Sequence, residues 1–220
     1  MSGYPAGIMT DAIGANRRLW LLTLIWGAAL VASGWQPFDR VTWWMEVAPV
    51  LIALPILWSL RRRFVLTDLA LGLIGLHGLI LMLGGAYSYA RVPVGFQVQD
   101  WLHLARNPYD RLGHFAQGFV PAIVLREWLI RQVGLHRGVL VTLVLACCLA
   151  ISAAYEPIEF VAAMALGQGA DEFLGTQGDP WDTQWGMLTC LIGAVVAVAT
   201  LSRLHDRQIA RIGGPLEGTG

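Results

Sequence analysis

Lysine is absent. All fifteen basic residues of the 220-residue chain are arginine, and fifteen acids bring the formal net charge to zero. A neutral chain lacks the basic footprint of a nucleic-acid binder, so no nucleic acid is expected as a partner. Charge of either sign is scarce. Only 14% of residues are charged, against about a quarter in soluble domains, which argues against an ordinary soluble fold. Cysteine is also rare. Cys147 and Cys148 are adjacent, Cys190 stands apart, and no CxxC spacing occurs, so a zinc ribbon or thioredoxin-type site is excluded. All three lie in apolar runs and read as small buried hydrophobes. There is no glycine-rich phosphate loop, no HExxH and no nucleophile elbow.

What is there is apolar. Hydrophobic residues make up 56% of the chain, gathered in runs near the twenty or so residues a helix needs to cross the hydrocarbon core. Six runs are visible: Leu19–Trp35, Trp43–Leu60, Leu66–Tyr87, Leu112–Ile130, Val139–Leu166 and Thr183–Leu201. They predict an all-α polytopic membrane protein, a bundle of six transmembrane helices in the lipid bilayer. Residues 19–202 would form the membrane domain, between tails at 1–18 and 203–220. The first run lacks a small-x-small cleavage site and reads as a span rather than a cleavable signal peptide. Pro157 inside the fifth run predicts a kink or a break. Trp20, Trp35, Trp43, Trp44, Trp101, Trp181 and Trp185 sit near run ends, as in an interfacial aromatic belt. Gly72, Gly75 and Gly78 offer a small-residue contact surface on the third run.

Arginine placement orients the bundle. Arg17, Arg18, Arg61, Arg62, Arg63, Arg131, Arg137, Arg203, Arg207 and Arg211 fall on one side. The loop "GQGADEFLGTQGDPWDTQWGM" carries acids and no base. The positive-inside rule then puts both termini in the cytoplasm and that loop outside, as expected of a bacterial inner-membrane protein.

Three segments bring polar side chains to the exterior ends of their helices. In "RNPYDRLGHFAQGFVP", Asp110 and His114 are four apart and share a helical face, which Gln117 continues. In "YEPIEF", Glu156 and Glu159 are three apart beside Tyr155. In "GDPWDTQWGM", Asp179 and Asp182 flank Pro180 and Trp181. Intramembrane carboxylates are costly and by default functional, so Asp110, His114, Glu156, Glu159 and Asp182 are expected to converge on one pocket. Each aspartate also has a plainer role open to it. Asp182 and Asp110 suit helix N-caps, Asp179 an Asx turn, and Arg111 beside Asp110 suits snorkelling to the headgroups. Asp171 and Glu172 read as solvated loop charges, His77 as a core histidine, and Glu46 and Asp68 as helix-end residues with no special role.

The blocks "HGLILMLGGAYSYARVPVG", "RNPYDRLGHFAQGFVPAIVLRE", "YEPIEF" and "GQGADEFLGTQGDPWDTQWGM" resemble the YjdF-like family of bacterial inner-membrane proteins from about Leu66 to the end of the sixth run. The chain departs from that family's pattern at Pro108, where His is common, and at Gly186, where Asp is common; an acid there would be auxiliary. A looser likeness is to the VanZ-like family, which is associated with glycopeptide-antibiotic resistance. Its order is an Asp-x-x-x-His-Phe block, a buried acid, and an acid opening a final helix. Asp110, His114 and Phe115, then Glu156 or Glu159, then Asp182 follow that order.

The function expected is a metal-dependent hydrolase or another lipid- or envelope-modifying enzyme, acting on a lipid-linked or envelope substrate. Oxygen-rich ligation with one imidazole suits a divalent cation, Mg²⁺, Mn²⁺ or Zn²⁺. Asp110, His114, Glu156, Glu159 and Asp182 are the candidate ligands, and Glu156, Glu159 and Asp179 the candidate catalytic carboxylates. Two other classes stay open: a proton- or ion-coupled transporter, disfavoured because the cytoplasmic half reads as dry, and a non-catalytic membrane scaffold with a buried polar network.

Overall fold

A computed structural model describes residues 6–135, 137–166 and 177–212. These form seven α-helices and one 3₁₀ turn. In chain order the helices are α1 (Ala6–Trp35), α2 (Arg40–Leu60), α3 (Asp68–Tyr87), α4 (Pro93–Leu102), α5 (Tyr109–Gln132), α6 (Arg137–Leu166) and α7 (Asp182–Arg211), with the 3₁₀ turn at Tyr89–Arg91. Polar caps set several boundaries. Asp39 accepts the Thr42 amide at 2.7 Å to open α2, and Thr67 accepts the Ala70 amide at 3.2 Å to open α3, satisfying donors a helix start leaves free. Ser88 ends α3 in the left-handed conformation, φ 55°, returning its amide to the Gly84 carbonyl.

Among the described residues, five helices are long and apolar enough to cross a membrane: α1 from Asn16, α2, α3, α6 and α7. The expected count of six is therefore not reached on length and composition. The exception is α5, whose 24 residues would extend about 36 Å. Its charged residues from Asp110 to Arg131 lower its hydropathy. Two further differences concern boundaries. Pro157 lies within α6 without breaking it, and α7 runs on to Arg211, so residues 203–211 are helix. The connection between α3 and α5 contains the 3₁₀ turn and α4.

Two apolar cores hold the bundle. One joins α1, α2 and α3 around Trp26, Val47, Val50 and Met82. The other joins α3, α5, α6 and α7 around Ile123, Leu140, Val144 and Ala194. Helix α3 takes part in both. Helix α5 packs against α3, α6 and α7, which explains how it carries charge: its polar side chains face protein.

The α5–α7 contact is backbone against backbone. A Cβ on Gly118 would strike the Cys190 carbonyl oxygen, and one on Gly193 would strike the Phe115 carbonyl oxygen. Buried Gly186, Cys190, Gly193, Ala194 and Ala197 make one small-residue face of α7, the kind that lets membrane helices approach closely. The buried thiols add to it: Cys148 donates to the Gly118 carbonyl and Cys190 to the Cys148 carbonyl, each at 3.6 Å. On α3 the expected glycine surface is only partly used. Gly78 lies against the Trp26 indole, which donates to the Gly75 carbonyl at 3.1 Å, whereas Gly72 faces open space. The aromatic belt also loses a member. Trp43 is buried and donates to Ser33 at 3.1 Å, while Trp20, Trp35, Trp44, Trp101, Trp181 and Trp185 are exposed.

The glycine contacts predict a sharp contrast. Gly118→Val or Gly193→Val forces α5 and α7 apart and costs several kcal/mol, as overpacking at backbone contact does. Gly72→Ala changes stability by no more than about 1 kcal/mol. Thermal unfolding in detergent checks this, and equal tolerance at Gly118 and Gly72 would refute the packing.

Candidate functional site

At the end of the bundle away from the termini, α2, α3, α5, α6 and the 3₁₀ turn enclose a cavity of about 230 Å³. Its polar lining comprises Glu46, His77, Tyr89, Asp110, His114, Gln117, Tyr155 and Glu159. Glycines make room for two of these. The Tyr89 ring fits against Gly84 and Gly113, and the His114 imidazole against Gly186, where a Cβ would sit 2.7 Å from Cε1. His114 Nδ1 lies 3.2 Å from Gln117 Oε1 and its Nε2 3.8 Å from Asp110 Oδ1. Pro49 and Pro121 also line the cavity, and each leaves the carbonyl four residues earlier without its helical donor.

Glu46, Asp110 and Glu159 are near enough to repel one another when ionised, and no arginine is in the lining. The Tyr89 hydroxyl hydrogen-bonds the Glu46 carboxyl. Burial, reinforced by that carboxyl, holds the Tyr89 phenol well above its ordinary value, so Tyr89 acts as a donor.

The aspartates expected as ligands are answered at the cavity mouth by arginine. Asp182 accepts from Arg106 at 2.6 Å and Arg111 at 2.7 Å. Asp179 accepts from Arg111 at 3.3 Å and lies 3.6 Å from Arg106, while its other oxygen accepts the Trp181 amide at 2.9 Å, the Asx turn expected. Asp110 reaches Arg111 at 3.0 Å and Arg106 at 3.7 Å. It stands between the mouth cluster and the cavity. Neither Asp110 nor Asp182 caps its helix through its side chain, and Arg111 pairs with acids rather than snorkelling. Glu156 accepts from Thr183 at 2.7 Å and is not in the cavity lining.

The expected set therefore divides. Asp110, His114 and Glu159 meet in the cavity; Asp179 and Asp182 form the mouth; Glu156 faces the start of α7. Asp171 and Glu172 lie outside the described residues. Among the described residues no three His, Cys, Asp or Glu side chains come together closely enough to hold a metal ion. Three cavity residues, Glu46, His77 and Tyr89, were not expected from the sequence. Glu46 is not a bland helix-end residue, and His77 is not simply core. The signal for Glu46 was an acid inside an apolar run three residues before a proline.

The family model described as "Predicted membrane protein (DUF2238)" matches residues 18–207. The inner membrane protein YjdF of Escherichia coli (strain K12) is 55% identical over 195 residues, covering 87% of this chain and 90% of that protein. The chain belongs to this family. The similarity extends on both sides of the blocks quoted above. No solved structure matches the chain.

The DUF2238 match also spans a second buried polar cluster, at the terminus-bearing end, where the bundle was expected to be dry. Glu127, fully buried on α5, accepts from the Thr67 amide at 3.0 Å, the Thr67 hydroxyl at 2.7 Å and Arg131 at 2.7 Å. His205 Nε2 lies 3.1 Å from Glu127, and His205 Nδ1 lies 3.1 Å from Arg126 Nη1. A guanidinium only donates, so Nδ1 accepts and Nε2 carries the proton given to Glu127. Arg126 also reaches Asp206 at 2.5 Å. Gln208 accepts the Leu69 amide at 2.8 Å. The cluster ties α3, α5 and α7 together. Breaking a buried charge network from one side costs about 3–5 kcal/mol, so Glu127→Ala in this DUF2238 protein should abolish or severely depress its thermal transition in detergent. Loss of under about 1 kcal/mol, the range of an exposed pair, would show the network to be peripheral.

Proposed function

We propose that this inner-membrane protein is an exterior-side, lipid- or envelope-modifying enzyme whose cavity works by acid–base chemistry on the polar head of a lipid-linked or envelope substrate. The observation that carries the reading is the cavity lining: three carboxyls, two imidazoles and two phenols with no arginine among them. Carboxyls that repel when both are ionised favour a state with one proton between them, which supplies a general acid and a general base together. Glu46 and Glu159 take these roles. His114, tethered to Gln117 and Asp110, moves the proton between the cavity and the mouth. Tyr89 donates to Glu46 and keeps it oriented. Arg106 and Arg111, held among Asp110, Asp179 and Asp182, position the mouth for a polar head.

A transporter needs polar steps through its whole depth. Between the cavity and the Glu127 cluster lies a layer built of Ala122, Ile123, Val144, Cys148 and Ala194, all buried and apolar, which supports a closed-bottomed site. Incubating a bacterial total lipid extract with purified protein and reading the lipids by mass spectrometry tests the enzyme reading. A headgroup-bearing species should change with wild type, with the change lost in Glu46→Gln and Glu159→Gln while Glu156→Gln retains it. An extract unchanged by the wild type, or equal effects at all three glutamates, sinks the assignment.

A second reading is recruitment of a divalent cation through Glu46, Asp110 and Glu159, favoured by three carboxyls lining one cavity with no arginine among the lining residues. The donor set does not assemble a ligand cage, and no step is assigned to a metal. If a cation enters, it stabilises the folded state by mass action. Mn²⁺ then raises the melting temperature by several degrees in wild type and not in Glu159→Gln; an unchanged transition eliminates this reading.

The orientation proposed is both termini cytoplasmic, supported by arginines at the terminus-bearing end and aspartates around the mouth. Gly178→Cys should be labelled by an impermeant maleimide from outside intact spheroplasts. Labelling only after lysis would reverse the topology.

A further inference from the structure

At the terminus-bearing end lies a second cavity, of about 250 Å³, bordered by α1, α2, α3, α5 and the α2–α3 connection. It is almost wholly apolar. Ile56, Leu60 and Trp128 form part of its wall, and all three are exposed, so in the bilayer the groove opens on lipid. Its polar border is Arg18 and Arg61. Arg17, Arg62 and Arg63 adjoin these two in the sequence, and Arg18 pairs with Asp68. That pairing uses one Nη, but the Arg18 Nε is buried without a hydrogen-bond partner among the described residues. A buried donor left unmade is costly, and an anionic oxygen arriving at the border satisfies it. Arg61 lies over the Trp58 ring, 5.1 Å from its centroid, and donates to the Trp58 carbonyl, which fixes its guanidinium at the border.

We propose that this groove is a binding site for an anionic phospholipid, one acyl chain along the apolar wall and the phosphate on Arg18 and Arg61. Charge complementarity selects the occupant. A zwitterionic lipid brings a cation to a border already carrying excess positive charge, whereas an anionic headgroup neutralises it. The apolar wall separates this site from one for a free anion, because chain burial contributes for every methylene removed from water.

The test uses the full chain, delipidated in detergent and titrated with phosphatidylglycerol, with phosphatidylcholine of the same acyl chains, and with inorganic phosphate, read by native mass spectrometry and thermal unfolding. Phosphatidylglycerol should bind and stabilise, phosphatidylcholine more weakly, and phosphate hardly at all. Arg18→Gln with Arg61→Gln should weaken phosphatidylglycerol binding roughly 10- to 30-fold, as expected for two arginines at an anionic headgroup. Arg207→Gln, an exposed arginine at the same end, should leave it unchanged. Asp68→Asn should tighten binding, since it frees Arg18 from its competing carboxylate; a merely structural pair would give no gain. Val124→Trp, which fills the groove and keeps every charge, should lower binding of both lipids and serves if the arginine pair cannot be removed without unfolding. Equal affinity for the two lipids, phosphate binding as strong as lipid binding, or an Arg207→Gln effect matching the double variant would overturn the site.

Discussion

The close crossing of α5 and α7 is the constraint on which the rest of the molecule depends. Where Gly118 meets the Cys190 carbonyl and Gly193 meets the Phe115 carbonyl, no side chain separates the two backbones. Without an aqueous driving force between membrane helices, such contact supplies dispersion that bulkier residues would lose. It also sets the position of everything along α5. One turn before Gly118, His114 is brought against Gly186. One turn before that, Asp110 comes beside the arginines that Asp182 holds. At the other end the same pairing brings His205 and Asp206 to Arg126 and Glu127. Both polar clusters are thus built on one pair of helices.

The arginines are distributed so that Asp110 is paired at the cavity mouth while Glu46 and Glu159 line the cavity with no arginine among the lining residues. Arg106 and Arg111 are engaged by Asp110, Asp179 and Asp182 at the mouth, with side chains about a fifth exposed. In that position an ion pair retains some hydration and escapes the full desolvation cost. Deeper in, Glu46 and Glu159 have imidazole, phenol and amide neighbours instead of guanidinium. Had Arg111 turned inward, the carboxyls would be paired and chemically quiet. The local helix geometry decides this: Arg111 follows Asp110 directly, about 100° around α5, so when Asp110 borders the cavity Arg111 is directed to the mouth.

Much of the fold was legible because hydropathy reports lipid exposure directly. α2, α3 and α6 appear as apolar runs within a few residues of their observed limits, whereas α1 begins at Ala6 and α7 runs on to Arg211, both well beyond their apolar runs. What hydropathy does not report is a helix screened from lipid by its neighbours. α5 was read as an apolar run over Leu112–Ile130, yet it falls below the apolarity of a span because it carries Asp110, Arg126, Glu127 and Arg131, which face protein. The same limit explains the supposed dry half. Arg131 was read as one more interfacial arginine, whereas a buried Glu127 four residues earlier accepts from it. The site was legible where its residues share one helix, as Asp110 and His114 do. It was not legible where distant chain segments converge: Glu46 and Tyr89 enter only through the packing of α2 and the 3₁₀ turn, and the Asp179–Asp182 arginine partners lie about seventy residues upstream in the chain.

The two ends of α5 differ in a way that bears on what each can do. At the Glu127 end every named polar group has a partner, the carboxylate accepting from a backbone amide, a hydroxyl, a guanidinium and an imidazole. The imidazole is held in one tautomer between Arg126 and Glu127. Moving its proton would set two donors against each other, so the cluster is rigid by construction and suits a structural anchor. At the cavity end the imidazole of His114 has an amide oxygen at 3.2 Å and a carboxylate at 3.8 Å. Two histidines on the same helix pair therefore sit in opposite settings, His205 against a guanidinium and a carboxylate and His114 against an amide. The difference follows from whether a guanidinium points at the ring, and it is why chemistry is assigned to the cavity and stability to the anchor.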